Sequence, residues 1–148
     1  MAKFIGEYSG KIDDKGRIIL PAAFKSLFKE DEEISFVVKK DLYENCLEMY
    51  TYSEWEKESE ILKSRLNFFN REHAEFWREY MRGRAVVRAA GKLGRITIPR
   101  QILTSIGADK EVVFSGNDYK IEIWAKERYQ ETKLADENFI ELAKKILG

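Results

Sequence analysis

Gly16-Arg17-Ile18-Ile19-Leu20-Pro21 is answered, 78 residues later, by Gly94-Arg95-Ile96-Thr97-Ile98-Pro99. A second echo trails each copy. Leu47-Glu48-Met49-Tyr50, with Trp55 five residues on, is matched by Ile121-Glu122-Ile123-Trp124, with Tyr129 five residues on. Two landmarks in the same order describe a duplicated unit rather than a chance motif. Each unit spans only about 45 residues, near the lower limit for burying a core of its own. The two copies are therefore expected to fold against each other, and function to come from the pair.

Composition sets the outer limits. A chain of 148 residues fits one compact domain or two interlocked halves with helical additions. With 44% hydrophobic and 35% charged residues, its balance is that of an ordinary water-soluble protein. No apolar run approaches the roughly 20 residues of a membrane span, and residues 1–20 lack the apolar core of a signal peptide. Cys46 is the only cysteine and His73 the only histidine, so an internal disulfide is impossible and a cysteine-based metal site is not expected.

Net charge is zero, but its distribution is polar. Between Met81 and Arg100 stand Arg82, Arg84, Arg88, Lys92, Arg95 and Arg100 with no acid among them. From Glu30 to Glu60 eleven acids face only Lys39, Lys40 and Lys57. An arginine-dense, acid-free stretch suits a polyanion. The plainer alternative is a solvated face paired with acids elsewhere in the fold.

The local pattern places these features on elements. Phe4 to Lys11 is predicted as a strand, Ile12 to Gly16 as a turn, and Arg17 to Leu20 as a second strand. Pro21 is expected at the first position of a short helix running to Phe28, with Phe24, Leu27 and Phe28 on one face. Ser35–Val38 and Cys46–Tyr50 are expected to pair as a hairpin. The second copy runs likewise: a strand over Arg84–Ala90, a turn at 91–94, and Arg95–Ile98 with Arg95 and Thr97 on one side and Ile96 and Ile98 on the other. A helix from Pro99 to Ile106 follows, stopped by Gly107. The closing hairpin is expected to turn at Gly116-Asn117-Asp118.

Ser53 to Glu56 fits a capping box, with Ser53 as N-cap. Beyond it Leu62, Leu66, Phe69, His73, Phe76, Trp77 and Tyr80 recur at helical spacing, and Asn67 and Asn70 divide the stretch into two helices ending before Gly83. Lys126 to Leu147 is expected to be helical, with Phe139, Leu142, Ala143 and Ile146 along one side. These stripes read as core or subunit contacts rather than as a ligand site.

No catalytic constellation emerges. His73 lies on an apolar stripe and reads as a satisfied, partly buried histidine. Cys46 reads as a small buried hydrophobe. Phosphate-loop, zinc-protease and nucleophile-elbow patterns are missing from the sequence. Asp13 and Asp14 form a carboxylate pair, but the second copy has Gly91 and Lys92 there. A non-enzymatic protein with no cofactor and no metal is expected.

A turn ending Gly-Arg, then a strand, then Pro projects an arginine from a rigid β platform in each copy. Glycine allows the tight turn, and the planar guanidinium can grip phosphate or the guanine edge. The two arginines could instead bridge to acids across the pseudo-dyad.

Asp13-x-Lys15-Gly16-Arg17 followed by Ile-Ile-Leu-Pro resembles the signature of the MraZ family of bacterial transcriptional regulators. The second Gly-Arg copy and the Ile121-Glu122-Ile123-Trp124 ending are similar to that family's second half, so the resemblance runs over essentially the whole chain. It implies an α+β fold with a mainly β core: two AbrB-like (SpoVT-AbrB) swapped-hairpin modules intertwined into a β-barrel with pseudo-two-fold symmetry and flanking helices. The corresponding boundaries are module 1 at 4–52, connecting helices at 53–82, module 2 at 83–126 and a C-terminal helix at 127–148.

The resemblance also implies a homo-oligomeric ring that binds repeats in promoter DNA of the division and cell-wall gene cluster, commonly including its own gene, and usually represses it. Double-stranded DNA is the implied partner, with no small-molecule substrate and no membrane. The signature arginine is the implied DNA contact, which maps to Arg17 and, by the repeat, to Arg95. With them go Lys15, Gly16, Lys92 and Gly94, and Asp13 as the residue ordering the turn. The chain departs from the family pattern at Gly91, where the second copy usually has Asp. If that aspartate orders the turn, the second loop is looser here; if it sets charge, the loop is more basic. Leu93 stands where the first copy has Lys15, with Lys92 beside it. The expected protein is cytoplasmic and nucleoid-associated. A ring-forming scaffold or partner-binding module, whose arginines hold subunits together, is the alternative.

Overall fold

A computed structural model describes residues 2–148 as a mixed α+β molecule with a mainly β core. In chain order the elements are β1 (Phe4–Lys11), β2 (Arg17–Ile19), α1 (Ala22–Lys25), β3 (Ile34–Lys40), β4 (Leu47–Thr51), α2 (Tyr52–Ser64) and α3 (Arg71–Met81). There follow β5 (Ala85–Ala89), β6 (Arg95–Thr97), α4 (Arg100–Ser105), β7 (Glu111–Asp118), β8 (Lys120–Ala125), α5 (Lys126–Tyr129), a 3₁₀ turn (Gln130–Thr132) and α6 (Asp136–Leu147).

The strands form a six-stranded antiparallel sheet in the order β1-β7-β8-β4-β3-β5 and a two-stranded ribbon, β2-β6. This order interlocks the repeat. The first strand of the first copy pairs with β7 of the second, and β5 of the second copy pairs with β3 of the first. The registers define a pseudo-dyad. Ile18 faces Ile96 at the middle of the ribbon, and Glu48 faces Glu122 at the middle of the β4–β8 pair.

Alternation along the strands fills the space between sheet and ribbon. Ile18, Leu20, Ile96 and Ile98 point inward and are fully buried with Phe36, Leu47, Met49, Phe114 and Ile123. Truncating an isoleucine in such a core to alanine costs about 2–5 kcal/mol. Phe4 meets Phe24 edge to face at 5.4 Å, so the swapped first strand is anchored by an aromatic contact as well as by its ladder.

On the far side of β4 the two dyad glutamates would repel. Lys120 lies between them, 3.2 Å from Glu48 and 4.0 Å from Glu122, and is almost wholly buried. Burial pushes the Glu48 carboxyl up despite that lysine. Burial works against the Lys120 charge, but Glu48, Tyr119 and Glu122 together outweigh it and the lysine is held above its ordinary range.

Several local expectations need correction. Pro21 and Pro99 are N-caps, not first helical residues, with ψ of 135° in both. Their carbonyls accept the first helical bonds, from Phe24 and Lys25 and from Ile102 and Leu103, so the missing N–H costs nothing there. Helix α1 stops at Lys25, because the Ser26 hydroxyl turns back onto the Ala23 carbonyl; Leu27 is left exposed while Phe28 packs on Phe4 and Phe36.

Thr51, not Ser53, caps α2, accepting the Glu54 N–H directly where β4 ends. The last hairpin turns at Asp118-Tyr119, with Asp118 at φ 63°; Gly116 lies within β7, where a Cβ would come 2.6 Å from the Phe4–Ile5 backbone. The C-terminal stretch is two helices broken at 133–135. His73 accepts the Asn67 N–H, and Asn70 caps α3, so the loop between the helices is closed by side chains; Phe69 at its tip is fully exposed. Cys46 is buried, and burial pushes its thiol well above the ordinary range.

Candidate nucleic-acid interface

The β2–β6 ribbon brings the two Gly-Arg copies side by side. Arg17 pairs with Thr97 and Ile19 with Arg95, so these four side chains share the face opposite the buried isoleucines. The two arginines are diagonal neighbours across the pair, about 7–8 Å apart by strand geometry. Each lies just after its loop, 12–16 or 90–94.

Both loops are locked to the opposite copy. The Gly16 carbonyl accepts the Ile98 N–H at 3.0 Å, and the Gly94 carbonyl accepts the Leu20 N–H at 2.9 Å. Gly16 has φ 79°, and a Cβ there would meet the Ile98 carbonyl at 2.8 Å, so only glycine fits.

The first loop is ordered by Asp13. One carboxylate oxygen accepts the N–H groups of Lys15 and Arg17, both at 2.9 Å, and the other accepts Arg17 Nε at 2.6 Å. The Arg17 backbone N–H, with its guanidinium and the Lys15 N–H, pulls the Asp13 carboxyl down to about 2. Arg100, from α4 of the other copy, adds hydrogen bonds to the Asp13 and Asp14 carbonyls. Arg17 is thus held through Nε alone, with no hydrogen bond from its Nη groups among the described residues.

Because the folded Asp13 carboxyl titrates below its unfolded value near 4, its contribution is complete above about pH 4 and is lost as pH falls through about 2. A carbon-detected NMR titration should therefore find the Asp13 carboxyl still ionised at pH 3. Half-protonation near pH 4 would mean that the loop is not held in this way.

The second loop does without an acid. Ala90 and Arg95 exchange both backbone bonds at 2.8 Å, and the Gly94 N–H reaches the Gly91 carbonyl at 3.3 Å. Backbone pairing stands where the first loop uses its carboxylate, so the turn closes without aspartate. Arg95 is exposed and has no ion-pair partner among the described residues. The stem of Lys25, from the first copy, lies against Gly94.

The acid-free run does not form one surface. Arg82 pairs with Glu79 and Arg88 with Glu33, while Arg84 is drawn under the helices over the Tyr80 ring. What remains beside the ribbon is Lys15, Arg17, Lys92 and Arg95, with Arg100 and Lys25 as buttresses. Neither arginine bridges across the dyad; Arg17 pairs within its own loop. The buttressing roles of Arg100 and Lys25 escape sequence reasoning because each acts on the loop of the other copy. Their signal is asymmetry: the repeat places Lys25 opposite Leu103 and Arg100 opposite Ala22. Among the described residues no cluster could hold a metal ion, and no helix is long and apolar enough to cross a membrane.

A family model described as "MraZ protein, putative antitoxin-like" matches residues 3–79 and 91–147. Relatives named transcriptional regulator MraZ cover most of the chain. One from Bacteroides fragilis is 37% identical over 86% of this chain and 80% of its own. Another, from Bacteroides thetaiotaomicron, is 35% identical over 94% of this chain and 88% of its own. A third, from Caldanaerobacter subterraneus subsp. tengcongensis, is 36% identical over 96% and 95%. With the repeat, the interlocked strands and both Gly-Arg loops accounted for, the chain belongs to the MraZ family.

Proposed function

We propose that this protein is a DNA-binding transcriptional regulator that reads double-stranded promoter DNA with the β2–β6 ribbon. The observation that carries the reading is the pair of dyad-related arginines on the outward face of a two-stranded ribbon, an element that the major groove admits. Arg17 and Arg95 address base edges or phosphates through their guanidinium groups. Lys15 and Lys92 flank them and contact the backbone of the duplex. Asp13, Gly16 and Gly94 fix the loops. Modules 4–52 and 83–126 act as one reading head, while the segments 53–82 and 127–148 serve assembly.

A neutral chain has little long-range pull on DNA, so affinity rests on several protomers engaging together. Exposed apolar side chains support a homo-oligomeric ring: Phe68, Phe69 and Phe76 on the α2–α3 hairpin, and Phe139, Ile140 and Ile146 on α6. The cytoplasm and nucleoid are its place of action. Its target is a set of repeats upstream of a division and cell-wall gene cluster that includes its own gene, with repression as the outcome.

Footprinting on that upstream DNA, combined with salt titration, tests the reading. Retention should fall steeply with salt, and Lys15→Ala should reduce the slope of log affinity against log salt by about one per site. Arg95→Ala should weaken binding less than loss of Arg17, because Arg95 lacks a carboxylate to pre-position it. Affinity indifferent to salt and to both arginines would favour a scaffold without DNA readout.

A further inference from the structure

The outward face of the ribbon differs between its two ends. Each strand contributes one arginine to it, but the residue across from each arginine is not the same. Arg17 stands opposite Thr97, and Arg95 stands opposite Ile19. The pseudo-dyad that exchanges the arginines therefore exchanges Ile19 with Thr97, since the copies read Gly16-Arg17-Ile18-Ile19 and Gly94-Arg95-Ile96-Thr97. The loops repeat the contrast: Lys15 stands two residues before Arg17, and Leu93 two residues before Arg95. One end of the face is basic and polar. The other sets an arginine beside two apolar side chains.

Both of those side chains are open to solvent. Ile19 is 48% exposed and Leu93 61%, whereas Ile18 and Ile96 of the same strands are buried. Alternation turns Ile19 outward, and a polar residue satisfies the same position in the other copy, as Thr97 shows. Residues directly opposite in an antiparallel pair have Cβ atoms about 4.5–5.5 Å apart, so Ile19 lies beside the stem of Arg95. Arg95 is itself exposed, with no ion pair among the described residues. Whatever the guanidinium of Arg95 addresses, Ile19 meets the next group along.

In the major groove the base edges present hydrogen-bonding groups throughout, and the one methyl among them is the C5 methyl of thymine. An isoleucine pressed onto those edges offers no hydrogen bond. Over donors and acceptors it would strip water and leave them unpaired; over a methyl it buries apolar surface at no such cost.

We infer that Ile19 is a specificity residue, reading the C5 methyl of a thymine beside the base that Arg95 addresses. The cross-strand spacing and the 3.4 Å rise of the duplex put that thymine within about two base pairs of the Arg95 contact. Each head thus reads an asymmetric site, with the thymine required at the Arg95 end and Thr97 serving the Arg17 end through its hydroxyl. This rests on the DNA reading proposed above and deepens it.

The test is fluorescence anisotropy with full-length protein on the duplex protected in the footprint, replacing thymine by deoxyuridine one position at a time in each repeat. The exchange removes only the C5 methyl and leaves every hydrogen-bonding group of the base. At one thymine per repeat it should weaken binding of the parent by about fourfold for each reading head. Ile19→Ala should bind the thymine and uracil duplexes equally at that position, and Ile19→Val, which keeps an apolar tip, should still prefer thymine. A duplex bound by the parent without regard to any thymine methyl overturns the inference and leaves the DNA reading standing. Discrimination that persists undiminished in Ile19→Ala overturns it too, as does disassembly of that variant, which would give Ile19 to a contact between copies. If the parent protects no DNA at all, the DNA reading fails and this inference falls with it.

Discussion

Replacing Arg17 by alanine should abolish specific DNA retention while the protein keeps its fold and its assembly. Arg17 is only about two-thirds covered, its side chain contributes nothing to the apolar core, and its one side-chain bond runs to Asp13. The loop survives without it: Asp13 still accepts the backbone N–H groups of residues 15 and 17, and Arg100 still holds the Asp13 and Asp14 carbonyls. Removal of one arginine contact to a base costs about 1–3 kcal/mol, roughly fivefold to 150-fold for each reading head. The proposed ring, presenting several heads to neighbouring repeats, would multiply that loss, turning a modest defect per contact into complete loss of the shifted species. Circular dichroism and sedimentation of the variant should match the parent. An unfolded or disassembled variant would make the arginine structural and defeat the DNA assignment.

The second large effect lies in the DNA. In the proposed ring, protomers joined head to tail would carry their ribbons in one orientation and so address direct repeats rather than a palindrome. Repeats about 10 bp apart put successive ribbons on the same side of the duplex. Inserting about 5 bp between two repeats turns the second away from the ring and should reduce binding at least tenfold more than inserting about 10 bp. Fluorescence anisotropy on a spacer series measures this directly. A protein that ignores phase, or a monomer that holds one isolated repeat as tightly as an array, would end the multivalent reading.

Much of the site was legible because its logic is local. The Gly-Arg turn, the alternation of Arg95 and Thr97 against Ile96 and Ile98, and the ordering role of Asp13 follow from residues within six positions of one another. In the structure Ile96 and Ile98 are buried opposite Arg95 and Thr97, and Asp13 accepts the Lys15 and Arg17 N–H groups. What escaped was carried by partners distant in sequence. The six basic residues between Met81 and Arg100 look like one patch, yet Glu33, Glu79 and the Tyr80 ring claim three of them. Helix starts slipped for a related reason: Thr51 is both the end of β4 and a cap, and only the sheet register decides where the strand stops.

The exchange of first strands between the copies has a consequence for synthesis. Lys11 pairs with Glu111, so about 100 residues must follow β1 from the ribosome before its partner exists. At the usual pace of about 5–20 residues per second, that is an interval of roughly 5–20 s. During it, β1 presents an unsatisfied edge, with Phe4 and Tyr8 lacking the β7 hydrogen bonds that fix them against Phe24. The first half of the nascent chain can close β3 on β4, but not its own outer strand. Folding is therefore a late event dominated by distant pairings, and a chain stalled before Glu111 should be a prime client for chaperones and proteases.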